Sequence, residues 1–292
     1  MERIETIKIA VLLTCHNRRQ KTLSFLQSLI NQNVFNQLQI DIYLLDDGST
    51  DGTSEAIHDK YPFIKLQKGN GDLFWAGGMR KIWEFAISQK KYDLFLLFND
   101  DVFLFENALE KIISNYMQLN REGIILIGSA LSPVSNKHSY GGYILNNIIH
   151  SKYYVVEPND NKSKPCQLGN ANILLVDAKV VEKIGVLSAS YTHILADFDY
   201  TLTGYKAGLA VLIAPGYYAY CENDHGINWL PAKHSLKKRI QYLYSPKGLA
   251  YKEYLYYIKK HFPLDYFSAF IKLWMKTLFP IIWDKFKRRD DN

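Results

Sequence analysis

Ile40-Asp41-Ile42-Tyr43-Leu44-Leu45-Asp46-Asp47-Gly48-Ser49-Thr50-Asp51-Gly52-Thr53 decides the fold of this chain. An apolar run too short for an ordinary helix stops at two carboxylates, and turn-forming Gly, Ser, Thr and Asp follow. The stretch reads as a buried strand, a turn and the N-cap of a short helix through about Tyr61. The same grammar recurs on both sides. Ile7 to Thr14 is a continuous apolar run, followed by the polar turn Cys15-His16-Asn17-Arg18-Arg19 and a helix with Leu23, Leu26, Leu29 and Ile30 on one face. Phe63 to Gln67 forms a third short strand. Leu94 to Phe98 forms a fourth, closed by Asn99-Asp100-Asp101 and followed by a helix from about Glu106 to Leu119, and Ile124 to Leu131 forms a fifth. This alternation predicts an α/β domain with a mostly parallel central sheet and helices on both faces. Residues that close parallel strands meet on one sheet edge, where open α/β folds bind ligands.

Between the third and fourth strands, Gly69-Asn70-Gly71-Asp72-Leu73-Phe74-Trp75-Ala76-Gly77-Gly78 predicts a glycine loop opening a helix from about Met79 to Gln89. Such loops can bring backbone N–H groups close to phosphate. From residue 138 to 176 the pattern changes to strands and turns, which predicts a second, mixed sheet region. The 292 residues, 48% of them hydrophobic, can bury one large domain with an appendage. Cys15, Cys166 and Cys221 are odd in number and far apart, so neither a disulfide framework nor a zinc site is indicated. The acidic N-terminus lacks the basic and apolar regions of a signal peptide, and a cytoplasmic location is expected.

Charge divides the chain. Residues 1–232 hold 21 Lys and Arg against 24 Asp and Glu, whereas residues 233–292 hold 14 against 5. That basic tail is rich in Tyr, Phe and Trp, but Asp265, Lys272, Lys276 and Pro280 interrupt its most apolar part. It is unsuited to spanning a bilayer and suited to lying on one, or to packing on the domain. No nucleic-acid motif is present. The expected organisation is a domain over 1–232, with a nucleotide-binding half to about 120 and an acceptor-binding half beyond it, followed by an amphipathic helical region over 233–292.

The acids on the predicted edge fit a nucleoside diphosphate and a divalent cation. Mg2+ or Mn2+ on a diphosphate needs only one or two protein carboxylates. Asn99-Asp100-Asp101 supplies them, with Asp101 the better metal ligand and Asp100 within reach of a ribose hydroxyl. Each motif alone also reads as local structure: Asn99-Asp100-Asp101 as an Asx turn, Asp47 as a turn residue, Asp197 as a helix N-terminal acid, and Trp75 as a packed turn residue. Their joint order along one edge is what points to a site.

Taken in order, Ala10 to Asn17, Leu45 to Thr53, Asn99-Asp100-Asp101, Ile184-Gly185-Val186-Leu187 and Ala196-Asp197-Phe198-Asp199-Tyr200 leading to Lys206-Ala207-Gly208 resemble the family 2 inverting glycosyltransferases of the GT-A fold. The resemblance covers roughly residues 7 to 230. It implies that Thr14, His16 and Asp47 line the nucleoside pocket, Asp100 holds the ribose, and Trp75, Gly77 and Gly78 contact the donor. Asp101 and His225 would bind Mg2+ or Mn2+, and Asp197 would be the catalytic base. Ala196 stands where relatives usually carry Glu, Thr203 where Arg often follows, and Asn99 where many carry Asp. The implied reaction moves a sugar from dTDP-rhamnose or a UDP-hexose to a glycan or polyprenyl-diphosphate-linked acceptor, as in bacterial surface polysaccharide or capsule synthesis, on the inner face of the cell membrane. The competing readings are a sugar nucleotidyltransferase and a non-catalytic nucleotide-sugar-binding scaffold at the membrane.

Overall fold

A computed structural model describes residues 7–222 and 228–286. The first half runs β1 (Lys8–Cys15), α1 (Arg19–Ile30), β2 (Gln39–Asp46), α2 (Thr53–Lys60), β3 (Lys65–Lys68), α3 (Phe74–Gln89), β4 (Leu94–Phe98), β5 (Phe103–Leu104), α4 (Ala108–Gln118) and β6 (Ile124–Leu131). It continues with β7 (His138–Tyr140), β8 (Gly142–Leu145), β9 (Tyr153–Val156), β10 (Lys164–Pro165), β11 (Leu168–Gly169), β12 (Ile173–Asp177), α5 (Ala178–Ile184), α6 (Ala196–Lys206) and β13 (Ala210–Tyr220). Four helices close the chain: α7 (Leu236–Tyr244), α8 (Tyr251–His261), α9 (Tyr266–Leu278) and α10 (Ile281–Phe286).

The central sheet has the order β10-β13-β6-β12-β4-β1-β2-β3. β1 lies parallel between β2 and β4, and β13 lies parallel to β6. Strands buried on both faces need no polar alternation, which is why residues 9–13 and Leu94–Phe98 read as unbroken apolar runs. Alternate residues feed two cores. Ala10, Leu12, Phe95 and Leu97 face α3, α6 and α8, while Ile9, Val11, Leu13, Leu94 and Leu96 face α1 and α4. Helices therefore cover both faces, as expected.

Two expectations need correction. The sequence reading assigned residues 172–176 to the second sheet, but β12 runs antiparallel between β4 and β6 as an interior strand of the main one. Its five buried residues satisfy an interior strand, and run length alone carries no information on direction. Only β11, β8 and β9 form the small second sheet. The glycine segment is also less loop-like than predicted, because α3 begins at Phe74 and takes in Gly77 and Gly78. Gly78 serves close packing there: a Cβ on it would stand 2.3 Å from Thr14 Oγ1, so glycine lets α3 lie directly on β1.

Candidate active site

The carboxyl ends of β1, β2 and β4 form a stitched edge. Asn17 adopts a left-handed φ of 51° and ties the first loop to the second, its N–H donating to Ser49 Oγ at 2.8 Å and its Oδ1 accepting from the Thr50 N–H at 2.8 Å. His16 donates through Nδ1 to the Asp47 carbonyl at 2.6 Å. Asp46 is buried and accepts from the Ser49 N–H and the Ser54 hydroxyl, so it braces the turn into α2. Asp47, equally buried, accepts from Gly71, Leu73 and Phe74 N–H groups, each at 2.9 Å. Three N–H donors on one carboxylate replace its lost hydration and fix the segment that leads into α3.

Beside it, Asp100 and Asp101 share one cation. Arg18 Nη1 lies 3.1 Å from Asp100 Oδ1 and 2.7 Å from Asp101 Oδ2, and the Thr22 hydroxyl donates to Asp100 Oδ2 at 3.0 Å. Burial pushes the Asp100 carboxyl up to about 6, against the pull of Arg18 and with reinforcement from Asp101. Trp75 spans from α3 to this strand end, its Nε1–H donating to Asn99 Oδ1 at 2.8 Å.

Asp197 enters from α6 and reaches the same edge. The Asn99 N–H donates to the Asn172 carbonyl at 3.3 Å, which joins the end of β4 to the start of β12. In the segment just before, the Ala171 N–H and the Asn170 side-chain amide approach Asp197 Oδ2 at 3.3 and 3.5 Å. The Phe198 N–H donates to Asp197 Oδ1 at 2.9 Å. All of these donors are neutral. Burial pushes the Asp197 carboxyl above the usual carboxylate range, and those three donors only partly oppose it. The residue before the helix, Leu195, holds a left-handed φ of 66°, strain of the kind that collects at functional sites.

Asp199, one turn-face away, has different company. It accepts from Tyr191 OH at 2.9 Å, from His261 Nε2 at 2.8 Å, and from Lys260 Nζ at 2.8 and 2.9 Å. Burial alone would raise its pKa, but His261, Lys260 and Tyr191 outweigh it and hold the carboxyl below its ordinary value. Lys206 Nζ also donates to the His261 carbonyl at 3.0 Å. Thus α8 is bolted to the helix that carries Asp197, and Leu255, Tyr257, Ile258 and Phe262 join the same core as α3 and α6.

The fold therefore gathers Thr14, His16, Asp47, Trp75, Asp100, Asp101 and Asp197 around one edge, while Gly77 and Gly78 lie in the first turns of α3 beneath it. His225 lies outside the described residues. Arg18 was missed by sequence reasoning, although its place in the loop after β1, facing two strand-end acids, was a usable signal. Lys260 and His261, two partners of Asp199, were also missed, lying about sixty residues downstream, whereas the segment Gly169-Asn170-Ala171-Asn172 resembles the family's donor and acceptor floor already in the sequence. Among the described residues no group of three or more His, Cys, Asp and Glu is spaced to enclose a metal ion.

Residues 10–160 match the model of Glycosyl transferase family 2, just over half of the chain, and the protein belongs to that family. Among solved structures it is similar to S. aureus TarS. The crystal structure of TarS 1–349 superposes with a TM-score of 0.52 at 13% identity, covering 74% of this chain and 60% of that one. The same portion solved in complex with UDP gives the same values, and the longer S. aureus TarS gives a TM-score of 0.53 with 37% of its chain covered. This chain thus spans about three fifths of the TarS 1–349 structure, and at this identity the likeness establishes the GT-A fold. No curated protein matches the chain.

Proposed function

We propose that this glycosyltransferase moves a sugar with inversion from a nucleoside-diphosphate donor to a glycan or lipid-linked oligosaccharide acceptor, with Asp197 as the base. The observation that carries this reading is the environment of Asp197: a carboxyl enclosed by neutral donors, raised in pKa, and linked through residues 170–172 to the strand end bearing Asp100 and Asp101. Such a group takes a proton readily, which a base must do. Asp197 takes the acceptor hydroxyl proton, the acceptor oxygen bonds to the anomeric carbon from the opposite face, and the donor's diphosphate leaves with the electron pair of the broken bond. His16 and the turn braced by Asp47 border the nucleoside, with Thr14 packed beneath Gly78 behind them, and Asp100 faces the ribose. Trp75 borders the donor above Gly77 and Gly78.

The residues present fit a divalent cation. Asp100 and Asp101 already hold the positive charge of Arg18 between them, and a cation bridged by diphosphate needs no third carboxylate. Asp101 would hold Mg2+ or Mn2+, whose chemistry is to neutralise the charge that gathers on the departing diphosphate. Membrane association is part of the same reading. α9 buries Ala269 and Leu273 with Lys276 and Thr277, yet turns the large apolar Phe267, Phe270, Ile271 and Leu278 outward beside Lys272, a surface that suits a lipid phase outside. No helix among the described residues is long and apolar enough to cross a membrane. A peripheral enzyme on the inner leaflet would meet a polyprenyl-diphosphate-linked acceptor there, as surface polysaccharide assembly requires.

Thermal unfolding with a panel of nucleotide sugars, with and without Mn2+, tests the donor half: dTDP-rhamnose or a UDP-hexose raises Tm, and a flat response across the panel rejects donor binding. Product analysis with Asp197→Asn tests the base and separates an enzyme from a binding scaffold.

A further inference from the structure

We infer that the lipid-docking face is built from two distant pieces of chain, the tip of the β8–β9 hairpin and the ridge of α9, stapled together by Asp265. The inference rests on the membrane reading above and deepens it.

The hairpin tip exposes two consecutive large apolar residues, Ile148 at 47% and Ile149 at 53%. The turn into α9 exposes Leu264 at 71%, and the first turn of the helix exposes Phe267 at 72%. Solvent alone gives no reason for either. Between them sits Asp265, which accepts from the Ser151 N–H and hydroxyl, both at 2.7 Å, and pairs with His150 Nδ1 at 2.6 Å. Three contacts to one carboxylate fix the two segments side by side, so their apolar side chains form one continuous surface rather than two isolated patches. That surface extends along α9 through Ile271 and Leu278 to the exposed Phe279, Ile281 and Ile282.

Charge selects the occupant. Exposed Lys152 and Lys272 lie in the two stapled segments, in a chain whose last sixty residues carry 14 basic against 5 acidic side chains. An anionic bilayer accepts apolar side chains and a basic rim together. The consequence is orientation. The hairpin that ends in Ile148 and Ile149 also carries Tyr143 and Tyr153, whose rings pack on Phe198 at 5.2 and 5.4 Å, next to Asp197. Tyr143 OH further donates to Asn170 Oδ1 at 2.8 Å. Docking through the tip thus brings the wall of the active site to the lipid surface, where one attachment through α9 alone would leave the enzyme free to pivot.

Cosedimentation of the full chain with phosphatidylglycerol/phosphatidylcholine vesicles tests this. Ile148→Asp/Ile149→Asp should weaken partitioning about tenfold with an unchanged Tm, because two inserted side chains are lost and the fold keeps its core. Phe267→Asp/Ile271→Asp should do at least as much. Asp265→Asn, which keeps the shape of the staple but not its charge, should weaken partitioning by a smaller factor. If the hairpin variant binds like the wild type while the α9 variant does not, the composite face is wrong and the membrane reading survives. Failure of the wild type to sediment overturns both. A concentration-dependent dimer in lipid-free solution, abolished by the hairpin substitutions, would assign the surface to a second copy and also overturn the inference.

Discussion

Asp197 and Asp199 stand two residues apart on the first turn of α6, and their surroundings divide them. Asp197 meets only neutral donors and has its pKa raised, whereas Asp199 meets Lys260 and His261 and has its pKa lowered. Environments that push two neighbouring carboxyls apart support the proposed division of roles, with the raised one suited to exchanging a proton and the lowered one to holding charge. What distinguishes the two is the kind of donor each meets, neutral at the half-buried Asp197 and cationic at the buried Asp199.

The strongest way to break this comparison is Asp197→Asn. Loss of a general base costs between about a hundredfold and ten-thousandfold, so kcat should fall about a thousandfold while donor-induced stabilisation persists. Undiminished transfer would sink the base assignment. Asp199→Ala should do the reverse. It leaves Lys260 without its counter-ion and the Tyr191 and His261 donors without an acceptor, a loss of about 3 kcal/mol read by chemical denaturation. Activity should survive in whatever fraction remains folded, and a selective collapse of kcat at full folding would merge the two roles.

The pH profile sharpens the contrast with a smaller effect. Asp197 must be ionised to act, and because its folded pKa is raised, the acid limb of kcat/KM should lie above the ordinary carboxylate range. The same shift is a stability statement. The folded protein binds this proton more tightly than the unfolded chain, so the contribution is present below the unfolded pKa and lost as pH rises through the folded one. Asp197→Asn removes that dependence, and the variant's Tm relative to wild type should increase as pH rises above the ordinary aspartate value of about 4. A constant difference would mean that the carboxyl is not perturbed.

Much of this was legible in the sequence because strand-closing residues declare themselves. Asp47, Asp100 and Asp101 follow continuous apolar runs, and parallel connections carry such residues to one edge whatever the details of packing. The direction of β12 was not legible, since an apolar pentapeptide suits any interior strand. Nor was the fate of Gly78, because a glycine that frees a loop and one that admits a close helix look alike until Thr14 is placed beneath it. Asp199 was legible only as a supporting acid that caps or orients Asp197. Its meaning comes from Lys260 and His261, on a helix whose position no local pattern specifies. That clamp also brings residues of α8 and α9 into the core shared with α3 and α6.

The mildest test lies at the other acid pair. Arg18 holds Asp100 and Asp101 together with a side chain that is 42% exposed, so the pair is screened and its contribution to stability is about 1 kcal/mol or less. Its larger effect is on cations, because a guanidinium seated on Asp101 competes with any ion for the same oxygen. Arg18→Gln removes that competitor and leaves two neighbouring carboxylates facing each other. Calorimetric titration of the nucleotide-free enzyme should then show Mn2+ binding tightened about threefold, as expected for withdrawal of one partly screened positive charge. Unchanged or weaker Mn2+ binding would mean that the ion never uses Asp101. The two acid clusters would then share a logic in which carboxylates beside a protein cation are structural, and only the one without such a cation does chemistry.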